Sequence, residues 1–273
     1  MFGFLKKRHR DRIRSQPFPP EWRDILTRRY SMYSRLPPAE RWELEGHIHV
    51  FLAEKLFEGC GGQEITDEVR VLIAAQACLL LLHRDTDYYP SLRSILVYPS
   101  SYIARTWRLE NDGRTITEGD QARGGESWPH GTVVLAWDGA IAGALELDRN
   151  RNLVLHEFAH QLDQEDGIVD GAPLLEGATF SQMRHCYQMW ARVLSAEFQQ
   201  LRRAAEDGRE TVLDTYGAQN PAEFFAVATE CFFEKPGQLK EQHPALYAEL
   251  KEFYRQDPLL YVPASPEKNE YPA

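Results

Sequence analysis

Apolar positions recur at helical spacing along most of the chain. Between Ala39 and Phe57, Leu44, Ile48, Phe51, Leu52 and Leu56 fall on one stripe, and Gly59, Gly61 and Gly62 end the pattern. Thr66 before Asp67-Glu68-Val69 signals a helix start. The helix predicted there runs to about His83 and is apolar all round from Leu79 to Leu82, as a core helix should be. Further helices are predicted from Asn150 to about Asp163, Phe180 to about Asp207, Asn220-Pro221 to Glu234, and about Ala245 to Gln256. Ser94 to Tyr98 and Thr132 to Trp137 read as strands. Between them, turn signals at Asp112-Gly113 and Gly124-Gly125 suggest irregular or hairpin structure, and residues 168–177 read as a loop. Helix dominates, with a few strands ahead of the helix at Asn150. This predicts a mainly helical α+β fold around one core, with a small sheet against that helix. Pro17, Pro19 and Pro20 interrupt residues 1–36, which are expected as a flexible basic segment. Residues 37–260 are expected as a single domain and 261–273 as a C-terminal tail.

Composition narrows the class of function. The chain of 273 residues is 43% hydrophobic and carries a net charge of −10. An acidic chain repels phosphate backbones, so direct nucleic-acid binding is not expected. Lys6, Lys7, Arg8, Arg10, Arg12 and Arg14 form a basic opening segment. It reads either as a solvated end or as a contact with an anionic surface. The four cysteines, Cys60, Cys78, Cys186 and Cys231, form no C-x-x-C pair and suit idle thiols in a reducing compartment. The apolar run from Val71 to Leu82 is shorter than the roughly 20 residues that span a bilayer. Charges follow Met1–Leu5 too soon for a secretory signal. A cytoplasmic protein without a membrane span is expected.

The candidate chemistry lies on the helix at Asn150. Leu153-Val-Leu-His-Glu-Phe-Ala-His-Gln-Leu162 contains H-E-x-x-H. Residues four apart on a helix stand one above the other, so His156 and His160 can share one cation. Imidazole suits Zn²⁺, and a catalytic zinc site keeps three protein ligands and a water. Glu157 lies about 100° round the helix, beside the metal rather than on it, and is placed to act as general base on that water. Val154, Phe158 and Leu162 can bury the opposite face. A third ligand must come from elsewhere, and Glu223, Glu230 and Glu234 compete for that role. Asn220, Pro221 and Glu223 also fit the N-cap, first position and third position of a capping box. Glu230 can instead support a histidine from behind. Tyr216 can either donate to the oxyanion of a tetrahedral intermediate or simply pack.

These residues carry a resemblance. His156-Glu-Phe-Ala-His-Gln-Leu-Asp-Gln-Glu-Asp-Gly167, with Tyr216-x₆-Glu223 inside Asn-Pro-Ala-Glu-Phe-Phe-Ala-Val, is similar to the Mlc titration factor A family of bacterial zinc peptidases. Ile95-Leu-Val-Tyr-Pro99, Ser127-Trp128 and Phe253-Tyr-x-Gln-Asp-Pro258 extend the likeness across most of residues 40–258. The resemblance implies a gluzincin with a zincin-like fold similar to the catalytic core of anthrax lethal factor. It implies zinc on His156, His160 and Glu223, Glu157 as base and Tyr216 on the oxyanion side. It also implies a cytosolic enzyme of aminopeptidase type that cleaves peptides or proteins and binds the glucose repressor Mlc. Residues 1–36 look longer and more basic than the family pattern. The alternative reading is a non-catalytic zinc-containing regulator that sequesters a transcription factor. The strand Thr132–Trp137 is a candidate edge for pairing with an extended substrate.

Overall fold

The computed structural model of the chain describes residues 2–100, 102–109, 116–123, 125–128, 131–145, 151–175 and 179–261. Pro20, expected as an interruption, stands at a helix start instead. Helix α1 (Phe2–Arg14) is followed by α2 (Pro20–Arg29), α3 (Ser31–Arg35) and α4 (Pro38–Glu54). Pro20 and Pro38 open α2 and α4, where the missing N–H is no loss and the fixed φ suits the helix. The expected flexible segment over 1–36 is therefore replaced by three helices. Leu26, Tyr30, Met32, Tyr33 and Leu36 are buried in the same core cluster as the motif helix, so the packed unit begins well before residue 37. Arg10 on α1 is buried and holds Glu54 on α4 through two hydrogen bonds of 2.6 and 2.8 Å, with Asp87 as a further partner. Residues 262–273 and the Asp112-Gly113 turn lie outside the described residues.

After α4 the chain forms strand β1 (Leu56–Gly59) and then α5 (Asp67–Leu79). The Thr66 hydroxyl accepts the Val69 N–H at 3.3 Å, capping α5 as expected. Every residue from Val71 to Leu79 is buried. The strands β2 (Ser94–Tyr98), β3 (Tyr102–Leu109), β4 (Ile116–Arg123), β5 (Gly125–Trp128) and β6 (Thr132–Ala136) follow. β3 and β4 form an antiparallel hairpin, in which Tyr102 faces Arg123. The other four strands make one sheet in the order β1-β2-β6-β5. β1, β2 and β6 run parallel, with Ile95 beside Val133, and β5 runs antiparallel to β6, with Ser127 beside Val133. The strand read at Thr132–Trp137 is thus interior. β5 stands at that edge of the sheet among the described residues, because it takes up the free side of β6.

The rest is helical: α6 (Trp137–Leu145), α7 (Leu153–Asp163), α8 (Phe180–Glu206), α9 (Pro221–Glu234), α10 (Pro236–Gln242) and α11 (Pro244–Tyr254). α7 lies between the β5–β6 side of the sheet and α9. Val154, Phe158 and Leu162 bury its underside as the spacing predicted. Phe158 meets Phe51 of α4 at 5.7 Å and Tyr89 at 4.9 Å between ring centroids, edge-on or tilted. The fold is mainly helical α+β, with a small sheet against the motif helix.

Candidate metal centre

α7 begins where Asn152 ends the preceding loop. Its side-chain oxygen accepts the Leu155 N–H at 3.0 Å, and its amide donates to the Gly143 carbonyl of α6 at 3.0 Å. One residue thus caps α7 and ties it to α6. The cap fixes the helix rotation that sends His156 and His160 to one side and Phe158 to the other. α9 begins on Asn220, whose side chain accepts the Glu223 N–H at 3.0 Å, with Pro221 in the first turn. Only half of the expected capping box forms, because the Glu223 carboxylate turns to the histidines.

His156 Nε2 lies 3.3 Å from His160 Nε2 and 3.0 Å from Glu223 Oε2, and His160 Nε2 lies 3.4 Å from the same oxygen. Two imidazole nitrogens and a carboxylate oxygen converging this way need a positive charge between them, and a single shared proton serves only one of the three edges. Ligand atoms about 2.0–2.1 Å from a tetrahedral zinc ion stand about 3.3 Å apart, so the triangle has the size of one face of such a site. Among the described residues, this trio is the cluster of histidines and carboxylates able to hold a metal.

The remaining candidates fall around the trio. Glu230, two turns along α9, accepts the His156 Nδ1–H at 2.7 Å and the Asn152 N–H at 2.5 Å. It stands behind the histidine, in the position that fixes a ligand's tautomer. Glu234 is buried at the far end of α9 and takes no part in the cluster. Tyr216 sits in a 3₁₀ turn, Thr215–Ala218, is 47% exposed, and has its ring centroid 5.9 Å from that of His156. Asp214 caps this turn through the Tyr216 N–H at 2.9 Å and receives Arg151 at 3.0 Å. Sequence reasoning singled out neither Asn152 nor Asp214. Each precedes a helical turn as a short polar residue, which is the signal that finds a cap.

Burial shapes the charges. It raises the Glu157 carboxyl above its ordinary value, against the pull of His156 and His160. Burial also raises Glu223, but hydrogen bonds from both histidines outweigh it and hold the group down at about 2. For His156, burial opposes charge, while the hydrogen bonds to Glu223 and Glu230 prevail and carry it well above the usual imidazole range. The pocket therefore favours positive charge among the three donor atoms, beside a carboxyl on Glu157 that is disposed to take up a proton.

Known proteins resemble this chain over most of its length. The profile of the glucose-regulated metallo-peptidase family M90 matches residues 5–255. The basic opening segment, expected as a departure, is thus largely within the family's own extent. An uncharacterised protein of Synechocystis is 44% identical over 247 residues, covering 90% of this chain and 87% of the relative. Mlc titration factor A of Klebsiella pneumoniae is 30% identical over 234 residues, 84% of either chain. Its namesake in Yersinia pseudotuberculosis is 29% identical over 241 residues, covering 88% of this chain and 85% of the relative.

Proposed function

The chain belongs to the glucose-regulated metallopeptidase family M90, and from that premise we propose that it is a zinc-dependent peptidase of aminopeptidase type. His156, His160 and Glu223 hold the metal, and Glu157 is the general base. The observation that carries this reading is the triangle of donor atoms, 3.0 to 3.4 Å on each edge, with the side chain of Glu157 one residue along the same helix. When bound, zinc supplies Lewis acidity, polarising the scissile carbonyl and lowering the pKa of water from 15.7 towards about 7.

This chain's own groups do the rest. Glu157 takes a proton from the attacking water and delivers it to the leaving amine. Its buried position, which favours the protonated carboxyl, suits the second half of that cycle. Tyr216 donates a hydrogen bond to the developing oxyanion. Glu230 keeps the His156 proton on Nδ1, so that Nε2 faces the metal with its lone pair. An extended peptide adds to the β5 edge by backbone pairing.

A second reading is favoured by the relatives named Mlc titration factor A. On it, the protein acts in the cytoplasm as a regulator that binds the repressor Mlc and uses zinc only for structure. One experiment separates the two: zinc content and aminoacyl-anilide and peptide hydrolysis of wild type and Glu157→Gln. The peptidase reading expects full zinc in both proteins and turnover reduced by about 10²-fold or more in the variant. Zinc-replete wild type without hydrolysis would favour the regulator, and a Glu157→Gln protein that hydrolyses as fast as wild type would remove Glu157 from the role of base.

A further inference from the structure

We infer that the outward face of α1 docks on an anionic lipid surface. Residues 3–9 are exposed throughout, so the first two turns of α1 stand clear of the fold. The helix is anchored by its second half. Arg10 is clamped by Glu54 and Asp87, and Ile13 packs against the core. In the projecting half, Lys6 reaches Asp87 at 2.9 Å on the inward side.

At 100° per residue, Phe4, Leu5, Arg8 and Arg12 fall on the side opposite Arg10 and Ile13. Phe4 is 67% exposed and Leu5 57%. The Arg8 guanidinium sits over the Phe4 ring, 5.7 Å from its centroid. Lys6, Lys7, Arg8, Arg10, Arg12 and Arg14 share this helix with Asp11 as its one acid, in a chain whose net charge is −10. Positive charge is thus concentrated on one projecting element whose free face also presents two large apolar side chains.

This combination matches a bilayer interface. Apolar side chains enter the acyl boundary while the long cationic ones reach back to headgroup phosphates. Each Lys or Arg near an anionic leaflet strengthens partition about fivefold. A nucleic acid would engage the same cations but would leave Phe4 and Leu5 in water. The two apolar side chains therefore decide for lipid.

The test is flotation of the full chain with phosphatidylglycerol vesicles and with phosphatidylcholine vesicles at low salt. Wild type is expected to float with the anionic vesicles and not with the zwitterionic ones. Phe4→Ser with Leu5→Ser should weaken binding about tenfold. Arg8→Glu with Arg12→Glu should weaken it by about a hundredfold or more. All four side chains point to solvent, so the unfolding midpoints of both variants should match wild type. Equal partition onto both kinds of vesicle, or none onto either, would overturn the proposal. So would binding to anionic vesicles that the Phe4/Leu5 variant retains in full. Binding to a DNA duplex that is tighter than to vesicles, and indifferent to Phe4 and Leu5, would also overturn it and assign the face to nucleic acid.

Discussion

Glu223 and Glu230 are seven residues apart on α9, and they meet opposite ends of one imidazole. Glu223 Oε2 faces His156 Nε2 at 3.0 Å, while Glu230 Oε1 faces Nδ1 at 2.7 Å. Two turns of helix bring both carboxylates to much the same side, and His156 fits between them. Their expected effects differ. Glu223→Ala removes a proposed ligand and should abolish stoichiometric zinc binding. Glu230→Gln leaves all three donor atoms and an amide oxygen for Nδ1–H but removes the carboxylate's charge behind the imidazole, and should weaken zinc affinity by about 10- to 100-fold. Titration against a competing chelator measures both. A Glu223→Ala protein that keeps one zinc per chain, beside a Glu230→Gln protein that loses it, would exchange the two roles. At this scale the sequence was readable where helical period decides geometry. H-E-x-x-H places two imidazoles together whatever surrounds it. The choice among Glu223, Glu230 and Glu234 stayed open on spacing alone, because it depends on how α9 is set against α7.

Elements were legible in proportion to how far local pattern determines them. β2, α8 and α9 fall where their caps and apolar runs put them, while α5 starts at its Thr66 cap but ends at Leu79, short of the end expected near His83. β1 did not stand out: it has four residues, its Leu56 is exposed, and it exists by pairing with β2. α6 was missed for a different reason. Its sequence, Trp137-Asp-Gly-Ala-Ile-Ala-Gly-Ala-Leu145, carries two glycines, which disfavour a helix by local propensity. The packing accounts for both. A methyl group on Gly139 would stand 2.9 Å from the Leu153 side chain, and one on Gly143 would stand 2.9 Å from the Asn152 amide. The glycines let α6 lie close against the start of α7, where Asn152 caps the motif helix, donates to Gly143 and presents its N–H to Glu230. Gly143→Ala should displace that amide, because its hydrogen bonds hold it in the way of the new methyl. The expected cost is about 1–3 kcal/mol of stability, with weaker zinc binding transmitted through Glu230. Urea unfolding of metal-free protein reads the first effect and chelator competition the second. A variant as stable as wild type and with unchanged metal affinity would mean that this contact does not position α7.

Across the whole molecule, burial gives acid two opposed effects on stability. Asp163, at the end of α7, is fully buried and accepts the Gly171 N–H at 2.9 Å, tying the motif helix to the loop that follows it. Burial pushes its pKa up from 3.8 to about 6. Burial also raises Glu43 of α4, but hydrogen bonds from His47 and from the His83 N–H, at 3.3 and 3.0 Å, outweigh it and hold the group down at about 2. Between about pH 6 and 4 the folded state holds a proton on Asp163 that the unfolded chain has released. Stability therefore rises there as pH falls, and above about pH 6 the buried carboxylate is a standing cost. Below about pH 4.5 the unfolded chain protonates Glu43 first, so the stability that Glu43 contributes near neutrality is lost as pH falls towards 2. Shifts of this size correspond to about 3 kcal/mol each at most. In metal-free protein, Asp163→Asn, which keeps an acceptor for Gly171, should stabilise the fold at pH 7 by about 1–3 kcal/mol and remove the gain on mild acidification. Glu43→Gln should cost a similar amount at pH 7 and flatten the loss at lower pH, because the variant has nothing left to protonate at that position. Urea midpoints across pH 2–8 would show the two variants displaced from wild type in opposite directions at pH 7, with the Asp163→Asn difference vanishing between about pH 6 and 4 and the Glu43→Gln difference vanishing lower, towards pH 2. Parallel curves would mean that neither carboxyl governs the acid response. The two effects have opposite sign because burial dominates at Asp163 on α7, whereas hydrogen bonds outweigh burial at Glu43 on α4 and hold it in its charged form.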